Sequence, residues 1–431
     1  MTAFNLTLAL VGGLVLILGL VSDWLKQHGV SDVLLTLLVG VAVGPVGLGW
    51  LDPLGWEWGP EILEEAARVT VGVGLMGAAL RLPGGYFQAT WRSQAVLLVG
   101  AMAGMCVVSG LLVWALVGVP LAVAFLIGAI VTPTDPVVAS SLVTGTVAEA
   151  NLPGRIPCLM TAEAGVNDGL ALPLVLLGVA LVGGPGLEHG ALAFVGKAVL
   201  WEIGGGVLLG AALGTATAIA LKKAEHKMVV ERSAYLAIVT ALALLALGLG
   251  RLLHADGLLA VFVAGVAFDR GVPMEEREDA EVIGAVVDRF FSLPMFALIG
   301  TVLPWAAWAE LGWRGPALAL AVLALRRLPV VLAVHRWVAP LKSRGDALFV
   351  GWFGPIGIAA TFYAALALRE TGIDAVFEVS LLLVVASVVV QGLTATPLTR
   401  LYGRTCHTAS DDGGDPGMAL ATHGRRALAE A

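Results

Sequence analysis

The chain is short of charge. Of its 431 residues only 13% are Asp, Glu, Lys or Arg, while 58% are hydrophobic. A soluble domain carries about 25% charged residues. So small a polar inventory cannot cover a globule of this size, which excludes an ordinary soluble fold and, with it, a nucleic-acid partner. Cysteine is scarce as well. Cys106, Cys158 and Cys406 stand far apart and fit neither a disulfide ladder nor a metal cluster, so they read as packing residues plus one thiol in the tail, and no resident cofactor is expected. The N-terminus lacks a basic leader and a small-residue cleavage site, so its apolar segment reads as a retained first helix and not as a signal peptide. The net charge of −7 decides little, because in such a chain the placement of charge matters more than its sum.

What is present is a succession of long apolar runs, with a mean hydropathy of +0.91. Runs of about 20 apolar residues between short polar loops identify an all-α polytopic membrane protein. Predicted spans fall near 5–24, 32–51, 64–80, 94–117, 119–143, 157–183, 192–221, 234–252, 256–269, 288–305, 315–335, 347–368 and 376–398. That is about thirteen, although 256–269 is short for a full crossing. Basic residues test the count. With thirteen spans, only Arg68, Lys197, Arg251, Arg314 and Arg369 fall on one side; Arg326 and Arg327 lie inside a span, and the remaining Lys and Arg fall on the other side. The positive-inside rule then puts the C-terminus in the cytoplasm and the N-terminus outside, as expected for a multi-pass protein of the cell (inner) membrane. The predicted organisation is a membrane domain over 1–404 and a flexible cytoplasmic tail over 405–431.

Two spans are interrupted. The fifth carries Thr132-Pro133-Thr134-Asp135-Pro136, and the twelfth carries Gly351-Trp352-Phe353-Gly354-Pro355-Ile356-Gly357. If spans 1–6 and 8–13 are two repeats with span 7 as linker, both breaks fall at the fifth position. Six helices per repeat make the two repeats opposite in orientation. Paired Gly/Pro-interrupted helices at matching positions point to a transporter's midplane site. Isolated proline kinks are common in membrane helices, but the carboxylate of Asp135 inside one break argues against that blander reading.

Acidic groups at bilayer depth cost about 2.5–3.5 kcal/mol each on insertion scales and by default mark an ion or proton path. Pro133 and Pro136 each remove a backbone donor, leaving spare carbonyls beside Asp135. Oxygen-only ligation of this kind suits a hard cation. The sixth span adds Glu163, Asn167 and Asp168. Glu163 and Asn167 share a helical face, and Asp168 lies about 100° further round, so one helix can aim Asp168 at an ion and Glu163 at a partner. A buried Glu163 needs a cation beside it, and Arg326 and Arg327 are the candidates at comparable depth. Arg327 is slightly favoured, but the residues leave the choice open, and the unpaired arginine is expected to snorkel toward a span end. Glu202, His254 and Asp256 lie near span ends and read as interfacial. Lys222 to Lys227 reads as a solvated loop, and Glu275 to Asp279 as a charged loop without chemistry.

Thr134-Asp135-Pro136, the run from Glu163 to Gly169, and Gly351-Trp352-Phe353-Gly354-Pro355 together resemble the sodium/proton antiporters of the monovalent cation:proton antiporter superfamily. The similarity is to the branch with an Asn-Asp pair, which includes archaeal antiporters and the animal sodium/proton exchangers, and it covers roughly residues 5–400. The resemblance implies a 13-helix inverted-repeat fold with crossed discontinuous helices, a core domain and a dimerisation domain. It implies Asp168 as the carboxylate carrying sodium or a proton, with Asp135 and Thr134 at the metal site, and a homodimer in membrane lipid. Asn167 in place of a second Asp implies electroneutral exchange. Two departures stand out: Ala164 replaces a serine that many members have, and Gly74 to Leu80 lacks the glutamate that many carry in the third span. Fewer oxygen ligands leave room for potassium or lithium as well as sodium.

Other readings of the same residues are a potassium/proton antiporter on this scaffold, an organic-anion symporter, a purely structural membrane protein, and an intramembrane aspartyl protease. The anion reading fits poorly with an acidic midplane, and a structural protein has no need of acids at broken helices. The protease would need Asp135 and Asp168 to share a proton, but the Gly-x-Gly-Asp signature of such enzymes is missing from the sequence.

Overall fold

A computed structural model of the chain describes residues 2–28, 31–136, 138–139, 146–183, 190–226, 234–270 and 290–405. Among them every regular element is a helix. The reason is the solvent: lipid offers no hydrogen bonds, so apolar runs must satisfy their backbone internally. The principal helices are α1 (Thr2–His28), α2 (Asp32–Val43), α3 (Gly59–Arg81), α4 (Trp91–Val117), α5 (Leu121–Ile130), α6 (Arg155–Leu181) and α7 (Ala193–Ala224). Then come α8 (Ala234–Leu252), α9 (Gly257–Asp269), α10 (Phe290–Thr301), α11 (Arg314–Leu325), α12 (Leu328–Val334), α13 (Arg344–Trp352), α14 (Ile358–Thr371) and α15 (Asp374–Thr405).

A helix lies under each of the thirteen predicted apolar stretches. Six are long and apolar enough to cross a bilayer as they stand, or seven if α10 and the short helix Trp305–Leu311, bent by 63°, form one crossing. Of the others, α1 and α3 run 27 and 23 residues without a break, and the rest are short or broken. The charged loop from Glu275 to Asp279, Lys227, and the tail from Cys406 onward lie outside the described residues.

α9 is only 13 residues long, yet it is enclosed by α3, α6, α7 and α8. Small residues make that enclosure tight. Gly206, Gly210 and Gly214 recur at four-residue spacing on α7, and a side chain on any of them would run into the Asp256, Ala260 or Ala264 backbone at the start of and along α9. Close backbone approach over a stripe of small residues is the usual way membrane helices associate. From the opposite side, Gly165 and Gly169 of α6 lie against Phe262 and Leu259 of α9.

Ionic clusters close the two ends of the bundle. Arg155 at the start of α6 donates to the Asp346 carboxylate at 3.0 Å, and Tyr402 of α15 and Ser343 donate to the same carboxylate at 2.8 Å each. Ser343 also caps α13 by accepting from the Asp346 amide. At the other end, Glu64 of α3 receives Arg369 of α14 at 2.8 Å, while Arg251 of α8 reaches Glu65 at 2.9 Å.

Candidate functional site

Two broken helices cross at the centre. α5 ends at Ile130 and helix resumes at Pro136, whereas α13 ends at Trp352 and α14 begins at Ile358. The Asp135 amide donates to the Pro355 carbonyl at 2.8 Å, tying one break to the other. From α15, Ser387 accepts from the Ile356 amide at 2.8 Å and Gln391 donates to the Trp352 carbonyl at 3.0 Å. The interrupted backbone is therefore satisfied by side chains, as it must be at this depth.

Crossing brings like helix ends together, and a charge of the appropriate sign meets each pair. The Asp135 carboxylate accepts from the Val138 amide at 3.1 Å through Oδ1 and from the Ile358 amide through Oδ2, capping both half-helices that start at the crossing. A Cβ on Gly357 would fall on that carboxylate, so Gly357 is the residue that admits it. Arg326 does the converse. Its Nη1 donates to the Val131 and Thr132 carbonyls and its Nη2 to that of Gly354. These are the acceptors the breaks set free: Pro136 has no N–H for Thr132, and the Asp135 and Ile358 amides that would otherwise serve Val131 and Gly354 are engaged elsewhere. An anion on the positive helix ends and a cation on the negative ones is the favourable arrangement of the macrodipoles. Arg326 thus does not snorkel; it is 2% exposed, held by carbonyls that only the tertiary crossing assembles.

Arg327 takes the other role. It forms a bidentate pair with Glu163, Nη1 to Oε1 at 2.6 Å and Nη2 to Oε2 at 2.7 Å, and its Nε donates to the Val350 carbonyl at 2.9 Å. Gly354 makes room for this side chain, since a Cβ there would meet the Arg327 stem. One turn on, Asn167 locks α6 to the break: its Nδ2 donates to Thr134 Oγ1 at 2.7 Å, and its Oδ1 accepts from the Thr134 amide at 3.2 Å. Asp168 follows, fully buried, with neither carboxylate oxygen hydrogen-bonded to the protein. Buried polar groups are almost always paired, and among the buried carboxylates of the described residues Asp168 is the one with both oxygens unpartnered, which leaves it open to a ligand. Asp135 lies within electrostatic reach of it, and Tyr363 of α14 donates its phenolic hydroxyl to the Asp168 backbone carbonyl. The expected residues thus converge, Thr134, Asp135, Asn167 and Asp168 around the crossing and Glu163 with Arg327 beside it.

The structure also corrects two of the interfacial readings. His254 is exposed, but Asp256 is 1% and Glu202 8% exposed, and each has one carboxylate oxygen without a hydrogen-bond partner. A signal for Glu202 was available: residues 202, 206, 210 and 214 share four-residue spacing, so Glu202 rides on the glycine stripe that α7 presents to α9.

Residues 8–401 match the family described as sodium/hydrogen exchanger, transmembrane. The chain is 34% identical over 357 residues to Na(+)/H(+) antiporter 2 of Zygosaccharomyces rouxii, covering 81% of this chain and 44% of that protein. It is 32% identical over 371 residues to the Na(+)/H(+) antiporter of Schizosaccharomyces pombe, covering 84% and 79%. The chain therefore spans less than half of the first relative's length. Among solved structures, the sodium proton antiporter MjNhaP1 from Methanocaldococcus jannaschii superposes with a TM-score of 0.71 at 19% identity, covering 92% of this chain and 98% of that one. That likeness is one of fold.

Proposed function

This chain belongs to the sodium/hydrogen exchanger family, and we propose that it is a secondary antiporter exchanging sodium for protons across the membrane. The observation that carries the reading is the Asp168 carboxylate, wholly buried with both oxygens unpartnered. One carboxylate can hold a proton on an oxygen or a dehydrated cation, not both. Binding of one therefore expels the other. Burial disfavours the bare anion, so an empty site does not cross easily, and the penalty couples the two fluxes.

Around Asp168, Thr134 and Asp135 supply further oxygens for the transported sodium, while Asn167 fixes α6 to the unwound segment and, as the neutral member of the Asn-Asp pair, leaves one titrating carboxylate and an electroneutral exchange. Glu163 with Arg327, and Arg326 on the freed carbonyls, keep the broken helices in one piece. α5, α6 and α11 to α14 would move as that piece against the remaining helices, opening the site alternately to either side. The matching breaks in α5 and between α13 and α14 support two inverted repeats, and the distribution of basic residues supports an outer N-terminus and a cytoplasmic C-terminus in the cell membrane. A homodimer is part of the same reading. The protease alternative is the weaker one, because Asp135 serves as the cap of two helix starts and the Gly-x-Gly-Asp signature is missing from the sequence.

The test is exchange in proteoliposomes, read by dequenching of a pH dye on adding sodium, potassium or lithium. Sodium should drive proton movement, and Asp168→Asn should abolish it while the protein stays folded. Exchange surviving in that variant would overturn the assignment. A response to potassium alone would replace the cation, with Ala164 and the stretch from Gly74 to Leu80, which lacks a glutamate, as the reason.

A further inference from the structure

Beyond the central crossing, three buried carboxylates follow one another along the faces of α6, α9 and α7. Asp168 is on α6. Asp256 precedes α9 as its N-cap, with Oδ1 accepting from the Leu259 amide at 3.0 Å. Its second oxygen is unpartnered and aimed at α6, 3.1 Å from the point where a side chain on Gly169 would begin. Gly169 is next to Asp168, and only glycine leaves Asp256 this line of approach. Glu202 stands behind Asp256. The Asp256 amide donates to the Glu202 carbonyl at 3.0 Å, and Oε2 of Glu202 is buried without a partner. The segment Gly196–Ile203 that holds Glu202 is a π-helix, a form that recurs at functional sites. Tyr363 is within electrostatic reach of all three acids.

Neither Asp256 nor Glu202 forms a salt bridge among the described residues; the charged group nearest Glu202 on its own helix is Lys197, five residues earlier and exposed. Two buried acids with free oxygens and no salt bridge are an expensive arrangement, and oxygen donors without nitrogen or sulfur suit a hard cation. No three acidic, His or Cys side chains among the described residues could jointly hold one ion. Asp168 therefore does not share a single three-carboxylate site with Asp256 and Glu202.

We propose that Asp256 and Glu202 form a second cation-binding station in series with Asp168, on the side of the membrane from which α9 starts. The cation leaves Asp168 past Gly169, is held by the free oxygens of Asp256 and Glu202, and passes on toward the Lys197 end of α7. With the N-terminus outside, this is the outer half of the path. The inference rests on the antiporter reading above.

Asp256→Asn separates the station from the cap, because Asn serves as an N-cap about as well as Asp while losing the charge. In proteoliposomes at fixed pH, Asp256→Asn and, more weakly, Glu202→Gln should raise the KM for sodium or lithium, Asp256→Asn by about tenfold. Their melting temperatures should stay at the wild-type value, and Asp256→Ala should lose stability as well. Wild-type KM in both conservative variants would overturn the station and leave Asp256 as a cap. An unchanged KM with a displaced pH profile would overturn it in favour of a proton relay. If the wild-type protein moves no protons in response to any of the three cations, the antiporter reading itself fails; wild-type exchange with unaffected variants sinks this inference alone.

Discussion

Glu163→Gln is the sharpest probe of how the broken helices are held. The side chain keeps its size and loses its charge. In the native protein Glu163 is 0% and Arg327 3% exposed, and two contacts of 2.6 and 2.7 Å join them. After the substitution Arg327 keeps its Nε bond to the Val350 carbonyl, and the glutamine oxygen can accept one neutral bond. What remains is a buried guanidinium without a counter-charge. Breaking such a pair costs about 3–5 kcal/mol, and a hydrogen bond to a charged group contributes about 1.5–3 kcal/mol, so the two routes to the magnitude agree near 3 kcal/mol. The assay is thermal unfolding of the detergent-solubilised protein, with sodium KM measured on the fraction that remains folded. Glu163→Gln should melt several degrees early with a near-native KM. Arg327→Gln should do the same, and the double variant should lose less than the sum by about 1–3 kcal/mol, because the pair is already broken in each single one. Additive losses would refute the reasoning. So would a Glu163→Gln protein of native stability and altered sodium affinity, which would move Glu163 into the ion path.

Gly357→Ala should push the Asp135 carboxylate off the two amides it caps; lower stability and loss of exchange are expected, and a fully active variant would show that the cap is dispensable. The Asp346 cluster governs acid sensitivity. Burial alone would raise this carboxyl, but hydrogen bonds from Tyr402, Ser343 and Arg155 outweigh it and hold Asp346 below the ordinary aspartate range. A carboxyl depressed in the folded state contributes stability that is present above its unfolded pKa and is lost as pH falls through the folded one. Tyr402→Phe removes a donor, so the contribution shrinks and its loss begins at higher pH. Melting curves from neutral to acidic pH should diverge accordingly between variant and wild type, and superimposable curves would count against this account.

Much of this protein is legible before any coordinates. A chain with 13% charged residues has no solvent but lipid, and lipid permits its backbone little except helix; hence the helices under the predicted stretches. Proline cannot donate, so Pro133 and Pro136 announce a break wherever the chain folds. A carboxylate at bilayer depth is too costly to be idle, which marks Asp135, Glu163 and Asp168 by position alone, while the choice of Asp168 as the carrier is what the family resemblance implies. These are local properties, carried by each segment into any structure it joins.

What the linear chain leaves undecided is pairing between segments. Arg326 and Arg327 are neighbours of identical chemistry, and which one meets Glu163 depends on how α11 and α12 are turned toward the crossing; the structure gives Glu163 to Arg327 and the freed carbonyls to Arg326. Asp135 is conspicuous in the sequence, yet its hold on both helix starts exists only because Ile358, 223 residues away, arrives beside it. Asp256 and Glu202 look interfacial because depth read from a span end assumes a lipid or water neighbour, and here the neighbour is another helix drawn close by glycines. Local chemistry follows from residue order; burial and partnership belong to the packing of helices against one another.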